Sequence, residues 1–247
     1  MATVECPDRQ FPDIEAVFFD KDGTLADAEG FLRSLAQKRS RLIDAQVPGV
    51  QEPLLMAFGV DGDRLNPAGL MAVGSRRENE IAAAAYVAET GKGWTESLEI
   101  VQSAFMEADS YTLSKADYTP PLAGICDCLR RLDRAGLKLG ILSADTTDNI
   151  RAFVTRYELT NVIDLMLGSD RPDLTKPEAA FFQTACDRLG ILPQKVLSVG
   201  DATSDLLMAK QAGAAGFIGV DWGWSQPVRL ATPDSLIHHP DQLQISA

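Results

Sequence analysis

The apolar run "IEAVFF" at residues 14–19 stands more than a hundred residues ahead of the next segment that reads as a strand. From about Glu29 to Lys115 the chain is helix-like and holds no convincing strand. Phe31, Leu32, Leu35, Leu42 and Ile43 recur near helical spacing. "ENEIAAAAYVAETG" at 78–91 is rich in alanine, the best helix former, and Gly91 suits its end. "WTESLEIVQSAFMEADSYT" at 94–112 is a third helical run, with Thr95 as its candidate cap. A block that long is not a loop. It reads as an inserted helical domain, which obliges the strand before it to return to a sheet built from the strands after it.

Beyond Thr119 the texture alternates. Thr119-Pro120-Pro121 reads as a helix start, Leu122, Ile125, Leu129 and Leu132 mark its face, and Gly136 ends it. "LKLGILSAD" (137–145), "VIDLMLGSD" (162–170), "KVLSVGD" (195–201) and "GFIGVDWG" (216–223) read as buried strands. Helical segments lie between them. That order predicts an α/β protein: a doubly wound, Rossmann-like parallel sheet flanked by helices on both faces. Residues 1–27 and 118–247 form the core and 28–117 the insert, with linkers at Thr24–Asp27 and Asp117–Pro120.

The formal net charge is −12 over 247 residues. So acidic a surface argues against nucleic acid or an anionic membrane as partner, but not against a small anion met by local positive charge. No window is long and apolar enough to span a membrane, and the polar start "MATVECPDRQFPD" lacks a signal-peptide pattern, so a cytoplasmic location is expected. Cys6, Cys126, Cys128 and Cys186 have no zinc spacing. The only histidines, His238 and His239, are adjacent in a late segment, which disfavours histidine chemistry. Oligomeric state is not legible.

In an open parallel sheet, ligands bind beyond the carboxyl ends of the strands. There the first strand meets Asp20 and Asp22, two carboxylates on one side of extended backbone, followed by Gly23. Ser143 ends another strand, Lys176 opens a helix past a third, and Asp201 ends a fourth with Asp205 four residues on. Each has a plain alternative: a turn residue, a solvated charge, an N-cap. Their joint placement is what those alternatives leave unexplained. Carboxylates gathered at one sheet edge need a cation, and hard oxygen donors favour magnesium. A metal, a lysine and a hydroxyl together suit a phosphoryl group.

"DKDGTL", "ILSAD", "KPEAAFF" and "VGDATSD" resemble, in order, the four motifs of the haloacid dehalogenase superfamily. The resemblance implies that Asp20 is a nucleophile forming an aspartyl-phosphate and Asp22 the general acid and base. It implies that Ser143 binds the phosphoryl oxygens, with Thr24 and Ala144 as neighbouring substrate-binding positions. Lys176 would neutralise nucleophile and phosphate. Mg2+ would be held by Asp20, the Asp22 backbone, Asp201 and Asp205. The "DKDGT" form resembles phosphatases and phosphomutases, and no histidine follows it as in β-phosphoglucomutase-like enzymes.

The insert lies where this superfamily places a mobile cap that selects substrate. Within it "AVGSRREN" at 72–79 offers Arg76 and Arg77, which could read a carboxylate or second phosphate or simply face solvent. The arrangement, with the late "PDSLIHHPDQL", looks most like the phosphoglycolate phosphatase subgroup. The expected partner is a small phosphorylated metabolite. A sugar-phosphate or nucleotide phosphatase, a pyrophosphatase, a phosphomutase, or a non-catalytic binding member of the fold remain the alternatives.

Overall fold

The computed structural model describes residues 2–111 and 114–246. A hairpin of β1 (Ala2–Cys6) and β2 (Arg9–Ile14) precedes β3 (Ala16–Phe19). The insert carries α1 (Glu29–Asp44), α2 (Gln51–Phe58), a two-residue hairpin of β4 (Val60–Asp61) and β5 (Arg64–Leu65), α3 (Leu70–Val73), α4 (Arg76–Glu89) and α5 (Trp94–Ser110). Then come α6 (Ile125–Arg134), β6 (Lys138–Ser143), α7 (Thr147–Arg156), β7 (Leu165–Gly168), α8 (Ala179–Leu189), β8 (Val196–Gly200), α9 (Thr203–Ala212) and β9 (Gly216–Val220). Two short strands close the chain, β10 (Ser235–Ile237) and β11 (Gln244–Ser246).

Six strands form one parallel sheet in the order β10-β9-β8-β3-β6-β7. The first of them in sequence, β3, lies in the middle, between β8 and β6, as its fully buried residues demand. Alternate side chains leave it on opposite faces. Val17 and Phe19 join Leu139, Ile141, Leu197 and Val199 under α6 and α7. Ala16 and Phe18 join Leu142 and Leu165 under α8 and α9. There Phe18 meets Phe182 edge-on, ring centroids 5.1 Å apart. Each such large apolar side chain contributes about 1.5–3 kcal/mol by its burial.

The insert buries a second apolar cluster, which Trp224 of the core joins. Leu32 and Ile43 of α1, Leu54 and Phe58 of α2, Ala83 and Ala84 of α4, and Val101 and Phe105 of α5 meet there. Ser75 starts α4 with a reciprocal pair of bonds to Glu78, 2.7 and 3.3 Å, a cap of about 1 kcal/mol. The two chain crossings run side by side: Asp27 N–H donates to Pro120 O (2.8 Å) and Leu122 N–H to Leu25 O (2.9 Å).

Several local expectations differ from the structure. The polar N-terminus forms a hairpin whose first strand pairs with β11. Its Arg9, Gln10 and Asp13 face water while Val4, Phe11 and Ile14 are buried, so charge hid the strand pattern. The insert contains a β-hairpin, because Gly62, at positive φ, turns the chain between Asp61 and Arg64. The helix expected at Thr119 begins at Ile125, since Pro121 bridges to Ala26 instead. Thr95 makes no cap; α5 starts at Trp94 from Gly93. Thr112, the expected end of that helix, lies outside the described residues. No helix among the described residues is long and apolar enough to cross a membrane.

The loop after β3 turns sharply at the sheet edge. Leu25 and Ala26 N–H both donate to Lys21 O (2.8 and 2.9 Å), which requires Gly23 at φ 85°. Gly23 lies flat against Trp224: a Cβ there would stand 2.2 Å from the indole Nε1. Trp222 Nε1 donates to Thr24 O at 3.0 Å, so two tryptophans of the segment after β9 clamp this loop. Gly23→Ala combines a positive φ with a side-chain collision and should lower unfolding free energy by about 1–3 kcal/mol in urea titration. Unchanged stability would mean the loop is not clamped as described.

Candidate active site

Pairing of Phe19 with both Ile141 and Val199 brings the carboxyl ends of β3, β6 and β8 to one edge of the sheet. Asp20 follows β3 and its N–H donates to Val199 O (2.9 Å). Ser143 is the last residue of β6, Asp201 the first beyond β8, and Asp205 lies in the first turn of α9. Lys176 reaches the same place from the segment between β7 and α8.

The Lys176 ammonium sits 2.5 Å from both Asp20 Oδ1 and Asp205 Oδ1. One oxygen each from Asp20, Asp201 and Asp205 lie within 4.8 Å of one another. Thr24 Oγ1 donates to Asp201 Oδ1 (2.8 Å) and Trp224 Nε1 to Asp201 Oδ2 (2.6 Å). Three carboxylates thus meet one ammonium, leaving two negative charges uncompensated. Burial first, then Asp205 and Asp22, push Asp20 up to about 6 even though Lys176 pulls the other way. Burial and its carboxylate neighbours also lift Asp201 well above the usual range. Burial works against the charge on Lys176, but Asp20 and Asp205 outweigh it and hold the ammonium protonated. The donor set and the two missing positive charges fit a hard divalent cation.

Asp22 belongs to a second cluster. Lys115 Nζ lies 2.5 Å from Asp22 Oδ2 and 2.7 Å from Asp145 Oδ2. Lys21 Nζ pairs with Asp22 Oδ1 and stands 3.2 Å from Asp145. Two ammonium and two carboxylate groups therefore alternate in a closed ring. Burial opposes the charge of both carboxylates, yet Lys115 and Lys21 hold Asp22 and Asp145 below their ordinary range. Sequence reasoning missed Lys21, Lys115 and Asp145. Lys21 and Asp145 were legible as charges inside buried-strand motifs. Lys115 carries no sequence signal; only the return of the second linker brings it here. Trp224 was missed likewise, its role depending on the fold of the segment after β9.

The space among Asp20, Asp22, Ser143, Lys176, Asp201 and Asp205 is about 20 Å3, room for one water, and is roofed by Ala72 and Val73 of α3. A cavity of about 230 Å3 opens on the Asp22 side between insert and core, walled by Arg39, Arg76, Lys115 and Ala144 among others. Another of about 530 Å3 lies on the Asp201 side and carries the exposed Arg64 and Arg229. Of the sequence candidates, Asp20, Asp22, Ser143, Ala144, Lys176, Asp201 and Asp205 converge. Thr24 is buried against Asp201 and lines none of these three spaces. Arg76 faces the 230 Å3 cavity but is held by Glu80 (2.8 Å) and Asp109. Arg77 does not line it; half-exposed, it points to Glu80 at 3.6 Å.

Residues 14–213 match the model of the haloacid dehalogenase-like hydrolase family. A phosphoglycolate phosphatase of Shigella boydii is 25% identical over 239 residues, covering 91% of this chain and 89% of that protein. One of Synechococcus elongatus is 35% identical over 122 residues, covering 49% of this chain and 56% of its own length. The crystal structure of a predicted phosphoglycolate phosphatase from Haemophilus somnus superposes with TM-score 0.66 at 21% identity, covering 91% of this chain and 93% of that one. That likeness is one of fold. The family match and the relatives together support a phosphatase. With its four motifs at one sheet edge, the chain belongs to the haloacid dehalogenase-like hydrolase family.

Proposed function

We propose that this enzyme is a magnesium-dependent phosphomonoesterase that hydrolyses a small phosphate ester, 2-phosphoglycolate being the first candidate, through an aspartyl-phosphate on Asp20. The observation that carries the reading is the meeting of Asp20, Lys176, Asp201 and Asp205 beside Asp22, a nucleophile, a phosphate-neutralising cation and a metal-ligating pair at one sheet edge. The relatives named phosphoglycolate phosphatase direct the choice of substrate.

In the first step the Asp20 carboxylate attacks phosphorus and the ester P–O bond breaks. Asp22, protonated for this step although Lys21 and Lys115 favour its ionised form at rest, passes that proton to the leaving oxygen, giving the free alcohol. In the second, Asp22 takes a proton from water, whose oxygen attacks the acyl phosphate and releases inorganic phosphate and the Asp20 carboxylate. Ser143 and Lys176 hold the phosphoryl oxygens. Asp20, Asp201, Asp205 and the Asp22 backbone carbonyl would hold Mg2+, which supplies charge neutralisation for the phosphoryl group. Thr24 and Trp224 keep the Asp201 carboxylate aimed.

A phosphoryl group does not fit in about 20 Å3. Residues 28–117 therefore act as a cap that swings on the paired linkers, lifting Ala72 and Val73 to admit substrate and lowering them to exclude water. Arg76 adds positive charge to the cavity that receives the leaving group.

A phosphate-release screen over small esters should find turnover with Mg2+ and none after chelation. Asp201→Ala should lower kcat by about 10³-fold or more, as expected when a metal-stabilised transition state is lost. Full activity in chelator would end the reading. Arg76→Ala should lower kcat/KM for 2-phosphoglycolate about tenfold, the worth of one charge-assisted bond, while Arg77→Ala changes it by less than about twofold. Equal losses in the two variants would place Arg77 in the cavity as well.

A further inference from the structure

The cations around the 230 Å3 cavity are not equivalent. Arg76 is engaged by Glu80 and Asp109, and Arg39 reaches Asp109 at 3.3 Å while lying over the Phe105 ring at 4.1 Å. Both guanidinium groups are thus tied to carboxylates of the insert's own helices. Lys115 stands on the opposite wall, in the short 3-10 turn of the return linker, with its ammonium between Asp22 and Asp145. Lys21, only 1% exposed, closes the ring from beneath and does not line the cavity.

This ring engages both oxygens of Asp22, Oδ1 by Lys21 and Oδ2 by Lys115. A carboxylate held on both sides is poorly placed to give a proton to a leaving oxygen or take one from water. An anion entering the cavity can draw Lys115 off Oδ2 while every carboxylate of the ring keeps one ammonium partner. Lys115 keeps Asp145, Asp22 keeps Lys21, and one charge-assisted bond replaces another of the same kind. A neutral leaving group offers no such exchange.

We infer that Lys115 is a specificity-determining residue: it binds the anionic end of the leaving group and, in moving to it, frees Asp22 for proton transfer. The inference rests on the phosphatase reading and on Asp22 as its acid and base. It defines the substrate class as short phosphate esters whose alcohol carries a second anion, a carboxylate or a phosphate. It also makes the enzyme slow on esters that lack one.

The test compares 2-phosphoglycolate, a short sugar bisphosphate and methyl phosphate, with Mg2+, in wild type, Lys115→Met and Lys115→Arg. Lys115→Met should lose about ten- to hundredfold in kcat/KM on the two esters that carry a second anion, the usual effect of losing a charge-assisted contact. The same variant should gain severalfold on methyl phosphate, because Asp22 is no longer held. Lys115→Arg should keep the wild-type preference. In the wild type, formate added in trans should accelerate methyl phosphate hydrolysis severalfold, a result that needs no variant to fold. Losses of equal size on all three esters would make Lys115 a structural strut and overturn the inference. So would an absence of formate activation. If only one of the two anionic esters is affected by Lys115→Met, the anion class narrows to that one. No turnover of any ester by the wild type would remove the phosphatase reading and the inference together, whereas normal wild-type turnover with parallel losses removes the inference alone.

Discussion

One ammonium group against three carboxylates, two of them buried and Asp20 partly so, is the constraint around which this sheet edge is built. Lys176 touches Asp20 and Asp205 at once, and Asp201 is left to a hydroxyl and an indole. A site assembled for stability alone would not leave two negative charges uncompensated, since buried unpaired charge is strongly unfavourable. The imbalance makes sense where a dication and a phosphoryl group meet: each supplies what the other's partners lack. The rest of the core serves that arrangement. β3 is central and its end carries Asp20, and Gly23 is required because only a glycine lets the indole of Trp224 lie against the loop and reach Asp201.

The second ring of charges has the opposite character. Lys21, Asp22, Lys115 and Asp145 balance one another without outside help. The Lys176 side of the site is thus poised to receive positive charge, while the Asp22 side is self-sufficient until something displaces a member. Both halves meet under α3, whose Ala72 and Val73 roof the carboxylates and whose flanks face the two larger cavities.

Much of this was legible in the sequence, for reasons of local physics. An apolar strand running into "DKDGT" fixes where Asp20 and Asp22 point, because side-chain direction alternates along extended backbone. The strand-helix alternation fixes that Ser143, Lys176 and Asp201 come from strand ends facing the same way. What escaped depends on contacts between distant segments. The N-terminal strand pairs with the last residues of the chain and presents charges on one face, so no local pattern announces it. Trp224 and Lys115 matter only because a later segment and a returning linker arrive beside the first strand. Arg76 and Arg77 are adjacent in sequence, and a helix sends neighbours in different directions; only the packing of α4 decides that Arg76 faces the cavity.

The proposed chemistry requires that Asp20, and no other residue, takes the phosphoryl group. Intact-mass measurement of Asp22→Asn mixed with p-nitrophenyl phosphate tests it. That leaving group departs with little need of a proton, while hydrolysis of the acyl phosphate slows by roughly 10²–10⁴-fold for want of a base. The expected result is a burst of nitrophenol, then a stall, with the mass of one phosphoryl group on the protein and the label mapped to Asp20. A label on Ser143, or the same burst from Asp20→Asn, would contradict it.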